Sequence, residues 1–409
     1  MSSPKSSDWQ QGVTLIPQEE WDTIVVGAGP AGSAAALTLA RAGRRVLMLD
    51  RFRFPRDKAC GDALIPDAVR CLDRMGLSEG VRDLAQESKV ARAYSPSRYG
   101  FDIAGDFLVV PRYALDEYLA RSAHRAGAVV GHGTVTGLKE DSEGVEVSVR
   151  GHSKALRGRT MIIATGADTR LLEKLMPEAS GPPSAYALRA YYRSREKVPH
   201  LLFSFDRSVI PGYAWIFPTR LGEVNEYNIG VGVFLHGELA PEQNLRSLLE
   251  DFFTSFPDAK RIRDSGESIS EVRGARLRCG LNPASARPGE RTLAAGETVD
   301  TTFPFSGEGI GKAMETAIAA AESVDRFLSS GSSDDLAAYP AYLRDTLKAK
   351  YSGYEVAERW LSYEWLNDFI ARRAQNSEFL RETASGILSE VLDPREFFSL
   401  KGVWRSIWR

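Results

Sequence analysis

The first clear pattern in the chain is an apolar strand, a glycine turn, a helix and a second strand. Residues 23–26 form a short apolar run rich in β-branched side chains, which predicts a buried strand. The alanine-rich residues 34–42 predict a closely packed helix, with Gly43 as its C-terminal cap. Residues 46–49 predict the second buried strand. This order indicates a parallel βαβ unit.

The pattern changes twice further along the chain. Residues 159–167 are an apolar strand ending in a small-residue turn, which is expected to join the first sheet. Alternating polar and apolar positions then predict antiparallel strands at residues 185–194, 200–205, 213–220 and 226–234. From about Ser323 onward, aromatic and leucine residues recur every three to four positions, which predicts helices.

The glycine turn has the spacing of a dinucleotide-binding motif. Gly27 permits the tight turn, Gly29 permits close approach of a pyrophosphate, and Gly32 permits helix and strand to pack closely. The N-terminus of the following helix attracts phosphate. Asp50 ends the second strand, where a carboxylate accepts hydrogen bonds from a ribose hydroxyl. An ordinary βαβ turn is the alternative, but strand, helix and acid in one register favour dinucleotide binding.

Composition narrows the class of protein. The 409 residues are 43% hydrophobic and 26% charged with a net charge of -2, which does not favour a general nucleic-acid binder. Cys60, Cys71 and Cys279 are too few for a disulfide framework or zinc site, and the histidines have no metal spacing. We therefore expect no metal. Without a recognisable signal peptide or membrane span, a cytoplasmic location is expected.

A second glycine-rich helix start favours FAD over NAD. Residues 293–316 predict a short strand, a loop through Pro304, and a helix opened by Gly307, Gly309 and Gly311. In a flavoprotein, such a helix directs its N–H groups at the pyrimidine edge of the isoalloxazine ring. The alternative for this segment alone is a helix cap beside a loop.

Three motifs carry a family resemblance. They are FPRDKACGD at residues 54–62, SGEGIGKAMET at residues 306–316, and YAWIFP at residues 213–218 followed by Gly230-Val231-Gly232. Together they resemble the geranylgeranyl reductase family, FAD-dependent proteins with a glutathione-reductase or p-hydroxybenzoate-hydroxylase type of fold. The resemblance runs from about Asp22 to the C-terminus.

The resemblance implies specific site residues. Cys60, Tyr213 and Trp215 are the catalytic candidates, and Tyr213, Trp215, Phe217, Gly230 and Gly232 would line the substrate cavity. The residues expected to bind FAD are Gly27, Gly29, Pro30, Ala31, Gly32, Asp50, Arg51, Lys58, Cys60, Gly61, Asp62, Arg112, Thr165, Gly166, Gly296, Glu297, Gly307, Gly309 and Ile310.

Two departures from the family pattern matter. The last FAD motif usually begins Gly-Asp, whereas this chain has Gly296-Glu297, whose carboxylate reaches one methylene further. Aromatic hydroxylases of the wider superfamily carry Asp-Gly after the mid-chain strand, whereas this chain has Thr165-Gly166. The second departure weakens a hydroxylase interpretation.

Several residues keep two interpretations. Cys60 is either a buried small hydrophobe or a thiol acting near the flavin, with a pKa lowered by Lys58 and Arg56. Tyr213 and Trp215 are either plain core or cavity lining. The aromatic C-terminal helices either pack on the FAD domain or form a lid over a lipid-sized cavity. The last residues, SLKGVWRSIWR, suit either a surface turn or peripheral membrane contact.

The leading functional hypothesis is hydride transfer from reduced flavin to a carbon–carbon double bond of a prenyl-type or other hydrophobic substrate. An external reductant, either NADPH, ferredoxin or reduced flavin, is expected because no second dinucleotide motif is visible. One alternative is a monooxygenase or halogenase, although YAWIFP departs from the W-x-W-x-I-P halogenase signature at Tyr213 and Phe217. Another is a flavoprotein that modifies a partner protein.

The predicted fold class is α/β, with a Rossmann-like FAD-binding domain, an antiparallel substrate sheet and a C-terminal helical region. We expect a flexible arm at residues 1–21, an FAD-binding domain at residues 22–80, 105–175 and 286–330, a substrate domain at residues 81–104 and 176–285, and the helical region at residues 331–409.

Overall fold

The chain forms a mixed sheet and a second, largely antiparallel sheet, in a computed structural model that describes residues 9–17, 19–179, 181–235 and 244–398. The strands are β1 (Gln10–Gly12), β2 (Trp21–Val26), β3 (Val46–Asp50), β4 (Ala63–Leu64), β5 (Gln86–Tyr94), β6 (Gly100–Val109), β7 (Val129–His132), β8 (Val135–Glu140), β9 (Val145–Val149), β10 (Leu156–Ile163), β11 (Ala185–Ser194), β12 (Leu201–Ser204), β13 (Gly212–Arg220), β14 (Asn225–Phe234), β15 (Glu267–Ser268), β16 (Arg273–Leu277) and β17 (Thr292–Ala294). The helices are α1 (Pro30–Arg41), α2 (Pro66–Arg74), α3 (Ser78–Arg82), α4 (Arg112–Arg125), α5 (Leu172–Leu175), α6 (Leu245–Ser255), α7 (Pro257–Ser265), α8 (Ile310–Ser330), α9 (Ser333–Tyr342), α10 (Lys348–Leu361), α11 (Glu364–Ala374), α12 (Glu378–Leu388) and α13 (Pro394–Phe397).

The first sheet has the strand order β1-β7-β3-β2-β10-β9-β8, and β17 pairs with the C-terminal half of β10. Strands β1, β7, β3, β2, β10 and β17 are parallel, whereas β9 and β8 are antiparallel additions. The carboxyl ends of β2, β3, β10 and β17 therefore meet at one edge, which is where open α/β sheets bind ligands. The predicted strands at residues 23–26 and 46–49 are both present.

Helix α1 begins directly after the glycine turn and packs on α8. Most of its residues are buried alanine and leucine, as the composition predicts. Small side chains let the two helices approach closely over the sheet. Gly43 follows the helix with φ +79°, a left-handed conformation that favours glycine, so its predicted capping position is confirmed.

The second sheet has the order β15-β11-β14-β13-β12-β5-β6-β4, and β16 also pairs with β11. Antiparallel pairing joins β11 to β14, β14 to β13, and β13 to β12, as the alternating pattern predicts. Its outer face carries α6 and α7, which bury Phe252, Phe253 and Phe256 against the strands. Its other face forms part of the wall of a cavity.

The C-terminal region is helical, as expected, and buries Tyr339, Tyr351 and Tyr354 against the first core. Within the described part of the chain, no helix has the length and apolar character needed to cross a membrane. The terminal segment SLKGVWRSIWR, for which the sequence leaves membrane contact open, lies entirely outside the described residues.

Two predicted boundaries need correction. The segment expected as a flexible arm contains β1, which pairs with β7 in parallel as an edge strand of the first sheet. The predicted boundary between residues 104 and 105 falls inside β6, because this strand continues to Val109 and pairs with both β5 and the short β4. Strand β4, within the predicted FAD-binding domain, therefore belongs to the second sheet.

Candidate functional site

A cavity of about 700 Å³ lies between the carboxyl edge of the first sheet and the inner face of the second. One end is lined by the glycine turn after β2 and by the end of β3. The middle is lined by residues 56–63 and by the loop before α8. The other end is lined by β5, β6, β12, β13 and the C-terminal helices. This volume lies within the range of sites that bind cofactors and drug-sized ligands.

The three glycines of the first turn are needed for different physical reasons. A Cβ on Gly27, which has φ +101°, would lie 2.2 Å from the Ala164 carbonyl oxygen, and one on Gly32 would lie 1.7 Å from that of Gly27. Both are needed by the fold itself. A Cβ on Gly29 would meet only Arg56 Nη2, at 3.5 Å, and otherwise project into open space. Gly29 therefore leaves room for a ligand at the N-terminus of α1.

The acid at the end of β3 lies in the cavity wall beside this turn. Asp50 accepts hydrogen bonds from the backbone N–H of Ala28 and of Phe52, both at 2.8 Å. These bonds fix the mostly buried carboxyl group at the position predicted to face a ribose. Its nearest cation is Arg56, whose Nη2 is 3.8 Å from Asp50 Oδ2.

A buried ion triad lies behind this wall. Arg112, at the start of α4, binds Asp116 through two nitrogens at 2.7 and 2.8 Å, and Arg56 Nη1 binds the same carboxylate at 3.0 Å. The two guanidinium groups hold the pKa of Asp116 below its usual value despite burial. Arg112 also faces the cavity, so a predicted site residue is fixed in place by Asp116, which the sequence analysis did not identify.

The departure at Gly296-Glu297 is accommodated by an ion pair. Lys58 Nζ lies 3.4 Å from Glu297 Oε2, and both residues line the cavity. Gly296 has φ +68°, and a Cβ there would lie 2.7 Å from the Cβ of Ala31. The glycine thus allows α1 to approach the end of β17, and the glutamate neutralises the lysine at the cavity wall.

The start of α8 differs from the expectation. Gly307 and Gly309 lie in the cavity wall, as predicted, but the Glu308 carboxylate accepts the N–H of Gly311 at 2.5 Å. One of the helix N-terminal donors expected for a flavin ring is therefore already used by this chain. Burial raises the pKa of Glu308 to about 7.

Cys60 lies in the cavity wall, but its expected activation is not found. Lys58 is paired with Glu297 and Arg56 with Asp116, so neither cation is free to stabilise a thiolate. Burial is the largest influence and raises the pKa of Cys60, while Arg112 opposes the rise. The thiol form is therefore favoured at neutral pH. The prediction that Lys58 and Arg56 lower this pKa is wrong.

Asp62 belongs to a hydrogen-bond network that joins the cavity loop to the second sheet. Its carboxylate accepts bonds from Tyr191 Oη at 2.5 Å and Asn228 Nδ2 at 2.8 Å. Asn228 Nδ2 also donates to the Cys60 carbonyl oxygen at 2.7 Å. Burial raises the pKa of Asp62 to about 6, although both partners oppose the rise. Sequence reasoning missed Tyr191 and Asn228, because their pairing with Asp62 depends on strand register.

The aromatic strand β13 forms the floor on the substrate side. Tyr213 Oη donates to the Ser306 carbonyl oxygen at 2.7 Å, which ties the sheet to the glycine loop before α8. Trp215 Nε1 donates to Asn228 Oδ1 at 2.9 Å. Tyr213, Trp215 and Phe217 all line the cavity, as predicted.

The two glycines of β14 do not have the same role. Gly232 lines the cavity. A Cβ on Gly230 would lie 2.3 Å from the Trp215 indole ring, so the space left at this position is filled by that side chain. Gly230 therefore positions the tryptophan, and the expectation that it lines the substrate cavity needs correction.

The far end of the cavity is an apolar arm. Aromatic and aliphatic side chains of the second sheet face side chains from α11 and α12 across it. The helices therefore contribute directly to the cavity wall as well as packing on the first core. The residues that define this apolar arm are Phe101, Ile103, Phe203, Phe205, Phe217, Ile370, Ala374, Leu380, Ala384, Ile387 and Leu388.

Most of the predicted site residues meet in this single cavity. Gly32 and Gly296 are absent from its wall and act through packing, as described above. The predicted cofactor residues that line it are Gly27, Gly29, Pro30, Ala31, Asp50, Arg51, Lys58, Cys60, Gly61, Asp62, Arg112, Thr165, Gly166, Glu297, Gly307, Gly309 and Ile310. The open cradle at Gly29, followed by a helix N-terminus, fits the pyrophosphate of FAD.

Comparisons with known proteins agree with this site. Residues 20–191 match the model of an FAD binding domain. The chain is 31% identical to menaquinone reductase of Mycolicibacterium smegmatis, over 94% of this chain and 95% of the relative. It is 30% identical to digeranylgeranylglycerophospholipid reductase 1 of Methanopyrus kandleri, over 91% of this chain and 99% of the relative.

Solved structures share the fold. A geranylgeranyl bacteriochlorophyll reductase-like protein of Thermoplasma acidophilum superposes with a TM-score of 0.74 at 21% identity, covering 95% of this chain and 96% of that one. The flavin-dependent brominase Bmp2 gives 0.73 at 19% identity, covering 95% and 98%. At these identities the structures show the fold alone. Taken with the relatives and the cavity, they lead to one conclusion: the chain is an FAD-dependent oxidoreductase and belongs to the geranylgeranyl reductase family.

Proposed function

We propose that this enzyme reduces a carbon–carbon double bond in the prenyl chain of a hydrophobic substrate, with a prenylated quinone as the first candidate. The observation that carries the proposal is the apolar arm, which continues from the Cys60 and Tyr213 region to α11 and α12. Apart from Asn367, the described lining residues that β6, β12, β13, α11 and α12 contribute present mainly hydrocarbon and aromatic surface, which suits an isoprenoid chain.

The relatives support this substrate class. The name of one relative, menaquinone reductase, indicates a quinone substrate. The name of another, digeranylgeranylglycerophospholipid reductase, indicates a prenyl lipid. Both substrates have long hydrocarbon chains, and both fit an apolar arm better than a small polar molecule would. The quinone is preferred because 33% and 31% identical relatives carry that name.

Bound FAD would supply the hydride for such a reduction. Gly29 and the start of α1 would hold its pyrophosphate, and Asp50 its ribose. Lys58 and Glu297 would lie along its middle. An external reductant, either NADPH, ferredoxin or reduced flavin, would be needed to reduce the FAD again after each turnover.

The chain's own residues would then do three things. The apolar arm would hold the prenyl chain and exclude water, so that the double bond stays aligned for reaction. Tyr213 and Trp215 would form a rigid floor, since each polar atom already has a partner within the protein. Cys60 would present a neutral thiol to the cavity, because burial raises its pKa.

Flavin-dependent oxygenation or halogenation is the rival chemistry. The brominase likeness concerns the fold alone, which hosts many chemistries. Tyr213 and Phe217 replace two residues of the halogenase signature, which disfavours halogenation. Rapid-mixing spectroscopy separates the two, since an oxygenase accumulates a flavin-oxygen adduct in air, whereas the reductase is reoxidised by its alkene without air.

Peripheral membrane contact is part of the proposal, because a prenyl quinone resides in a membrane. Tyr363, just before the helix α11 that lines the apolar arm, is 51% exposed, and Trp365, in the first turn of that helix, is 69% exposed. Exposed aromatic side chains of this kind favour a membrane interface. Co-sedimentation with anionic lipid vesicles should fall for Trp365→Ala and stay unchanged for an exposed control such as Leu84→Ala.

The apolar arm can be tested by filling it. Ala384→Phe adds a ring to the α12 wall and should raise the KM for a long prenyl substrate by at least about tenfold, an effect of ~1.4 kcal/mol. FAD content should not change. Glu382→Phe, on the exposed side of the same helix, is the matched control. Equal KM values for the two variants would contradict prenyl binding in this arm.

A further inference from the structure

A buried cluster of charged residues lies beside the cavity at the start of α8. The Lys312 ammonium is 3% exposed and lies 2.6 Å from Glu390 Oε2 and 3.6 Å from Asp67 Oδ2, and it also pairs with Glu315. The same ammonium lies 5.4 Å from the centre of the Phe303 ring. None of these residues belongs to the cofactor or substrate residues described above.

Negative charge exceeds positive charge in this cluster. Four carboxyl groups, those of Asp67, Glu308, Glu315 and Glu390, surround Lys312, and the only other nearby ammonium among described residues is Lys350, 3.9 Å from Glu390. Burying several ionised carboxylates around one cation is costly, and proteins relieve the cost by protonation. At least one of these groups therefore holds a proton near neutral pH.

Asp67 is the clearest candidate for this proton. It is 3% exposed, and neither of its carboxylate oxygens accepts a hydrogen bond from any described residue. Glu390 Oε1 also lacks such a partner within the described chain. A proton on one Asp67 oxygen would let that oxygen donate a hydrogen bond to Glu390, which gives a partner to one oxygen of each group. Burial and the neighbouring carboxylates raise the pKa of Asp67 well above its usual value.

Glu308 connects the cluster to the cavity. It lies in the cavity wall, and its carboxylate binds the N–H of Gly311. Asp67 touches the other side of the same glycine, since a Cβ there would lie 2.3 Å from Asp67 Oδ2. The two carboxyl groups are thus separated by the backbone of one residue.

We propose that Asp67, Glu308 and Glu390, gathered around Lys312, form a proton store in which Glu308 exchanges a proton with the cavity. The catalytic role of this proton store rests on the proposed function. Reduction of a double bond adds a hydride, delivered from reduced flavin, to one carbon and a proton to the other. The Glu308 O–H bond breaks as a C–H bond forms, its electron pair stays on the carboxylate, and solvent that reaches the cavity returns a proton to it. Asp67 and Glu390, on the other side of Gly311, raise the proton affinity of Glu308 through their charge.

Other charged or titratable groups face the cluster and set its proton affinity. Glu315 stays ionised, because Lys312 and Tyr342 bind it and lower its pKa. Burial and the neighbouring carboxylates raise the pKa of the Cys71 thiol to about 12, so it is neutral. The other titratable groups of the described chain that face the cluster are Tyr213, Tyr342, Lys350, Tyr351 and Tyr354.

Infrared titration of the FAD-loaded protein tests the store without any substrate. Labelling aspartate or glutamate carboxyl groups with ¹³C identifies the acid type of each protonated band. We expect an aspartic acid band at pH values well above those at which an exposed aspartic acid has lost its proton, and a glutamic acid band lost as pH rises through about 7. Asp67→Asn should remove the first band and Glu308→Gln the second.

The control is Glu322→Gln, which should change neither band, because this partly exposed glutamate of α8 lies outside the cluster and pairs with Arg74 of α2. If Asp67→Asn does not fold, Glu390→Gln should shift the aspartic acid band, because its acceptor has changed. Absence of protonated carboxyl bands in the native protein near neutral pH, or bands untouched by all three cluster variants, would overturn the proposal.

A kinetic measurement tests its use in turnover. The rate of double-bond reduction should fall as pH rises through about 7, because Glu308 acts in its protonated form. Glu308→Gln should lower kcat by about 10²-fold or more, a typical contribution of a general acid, and abolish this pH dependence. An unchanged pH profile in Glu308→Gln would overturn the role of Glu308. The infrared bands do not depend on substrate, so a native enzyme that shows them without reducing prenyl substrates would refute the proposed function alone.

Discussion

Gly29→Val separates cofactor binding from folding. The backbone at Gly29 has φ -75° and ψ -169°, an extended conformation that valine adopts readily. Its added Cβ would meet only Arg56 Nη2, at 3.5 Å, so the protein itself has room for it. We therefore expect a change in the free energy of unfolding of the apoprotein within about 0.5 kcal/mol.

The effect on FAD should be much larger. The side chain would occupy the approach to the N-terminus of α1 and displace the pyrophosphate from its backbone donors. A charge-assisted hydrogen bond contributes about 1.5–3 kcal/mol, so losing two of them costs ~3–6 kcal/mol. Since each ~1.4 kcal/mol is tenfold in Kd, FAD affinity should fall about 10²- to 10⁴-fold.

The assay is flavin fluorescence titration of the apoprotein, with thermal unfolding measured in parallel. Gly222→Val, in an open turn of the second sheet, is the matched control and should keep native affinity. Gly32→Ala should instead prevent folding, because its Cβ would lie 1.7 Å from a backbone oxygen. Native FAD affinity in Gly29→Val would refute the assigned binding mode, as would loss of folding.

Three further predictions concern the cavity wall. Trp215→Phe removes the N–H that donates to Asn228 at 2.9 Å and should change the KM for the prenyl substrate while FAD content stays native; loss of FAD would place this residue in the fold core instead. Asp116→Asn leaves the buried guanidinium of Arg112 without its counter-charge and should cost ~3–5 kcal/mol in urea unfolding; a cost under about 1 kcal/mol would contradict the triad. Because the pKa of Glu308 is raised from 4.5 to about 7, the native state binds more protons than the unfolded state between these values, so stability falls as pH rises through this window. Glu308→Gln should remove up to roughly 3 kcal/mol of that fall in urea titrations at successive pH values, and an unchanged slope would contradict the raised pKa.

Local sequence patterns predicted the nucleotide-binding βαβ unit of the first sheet, but not its strands β1, β7, β8 and β9. The β-branched run before Gly27, the alanine-rich helix and the position of Asp50 each reflect short-range constraints that are visible along the chain. The strand β13 was also predicted from its pattern, although both of its faces are buried: Ala214 and Ile216 pack with the outer helices, and Trp215 lines the cavity. These features depend on periodicity and turn chemistry, which act within a few residues.

Features that depend on register between distant segments could not be predicted. Tyr191 of β11 contacts Asp62 only because the loop that carries Asp62 lies beside this strand in the folded protein. Likewise, Trp215 occupies the space next to Gly230 only because the register of β13 and β14 places the two residues opposite each other. The raised pKa of Cys60 could not be predicted either, because a cation that is close in sequence need not lie close to the thiol. Arg56 instead pairs with Asp116.

The buried cluster around Lys312 shows the same limit. Asp67 lies in α2, Lys312 lies in α8, and Glu390 follows α12, so no local sequence motif predicts that they meet. A lysine and several acids on helices usually indicate a solvated face, and only the packing of α2 and α8 shows that this set is buried.

The central claim is that prenyl double bonds are reduced in the apolar arm. The most direct measurement mixes FAD-loaded, chemically reduced enzyme with a prenylated menaquinone in the absence of oxygen, reoxidises the quinone ring, and determines the mass of the side chain. The account predicts that the side chain gains one hydride and one proton and that the flavin becomes oxidised at the same rate. A side chain of unchanged mass, with only the ring reduced or no reaction at all, would contradict it.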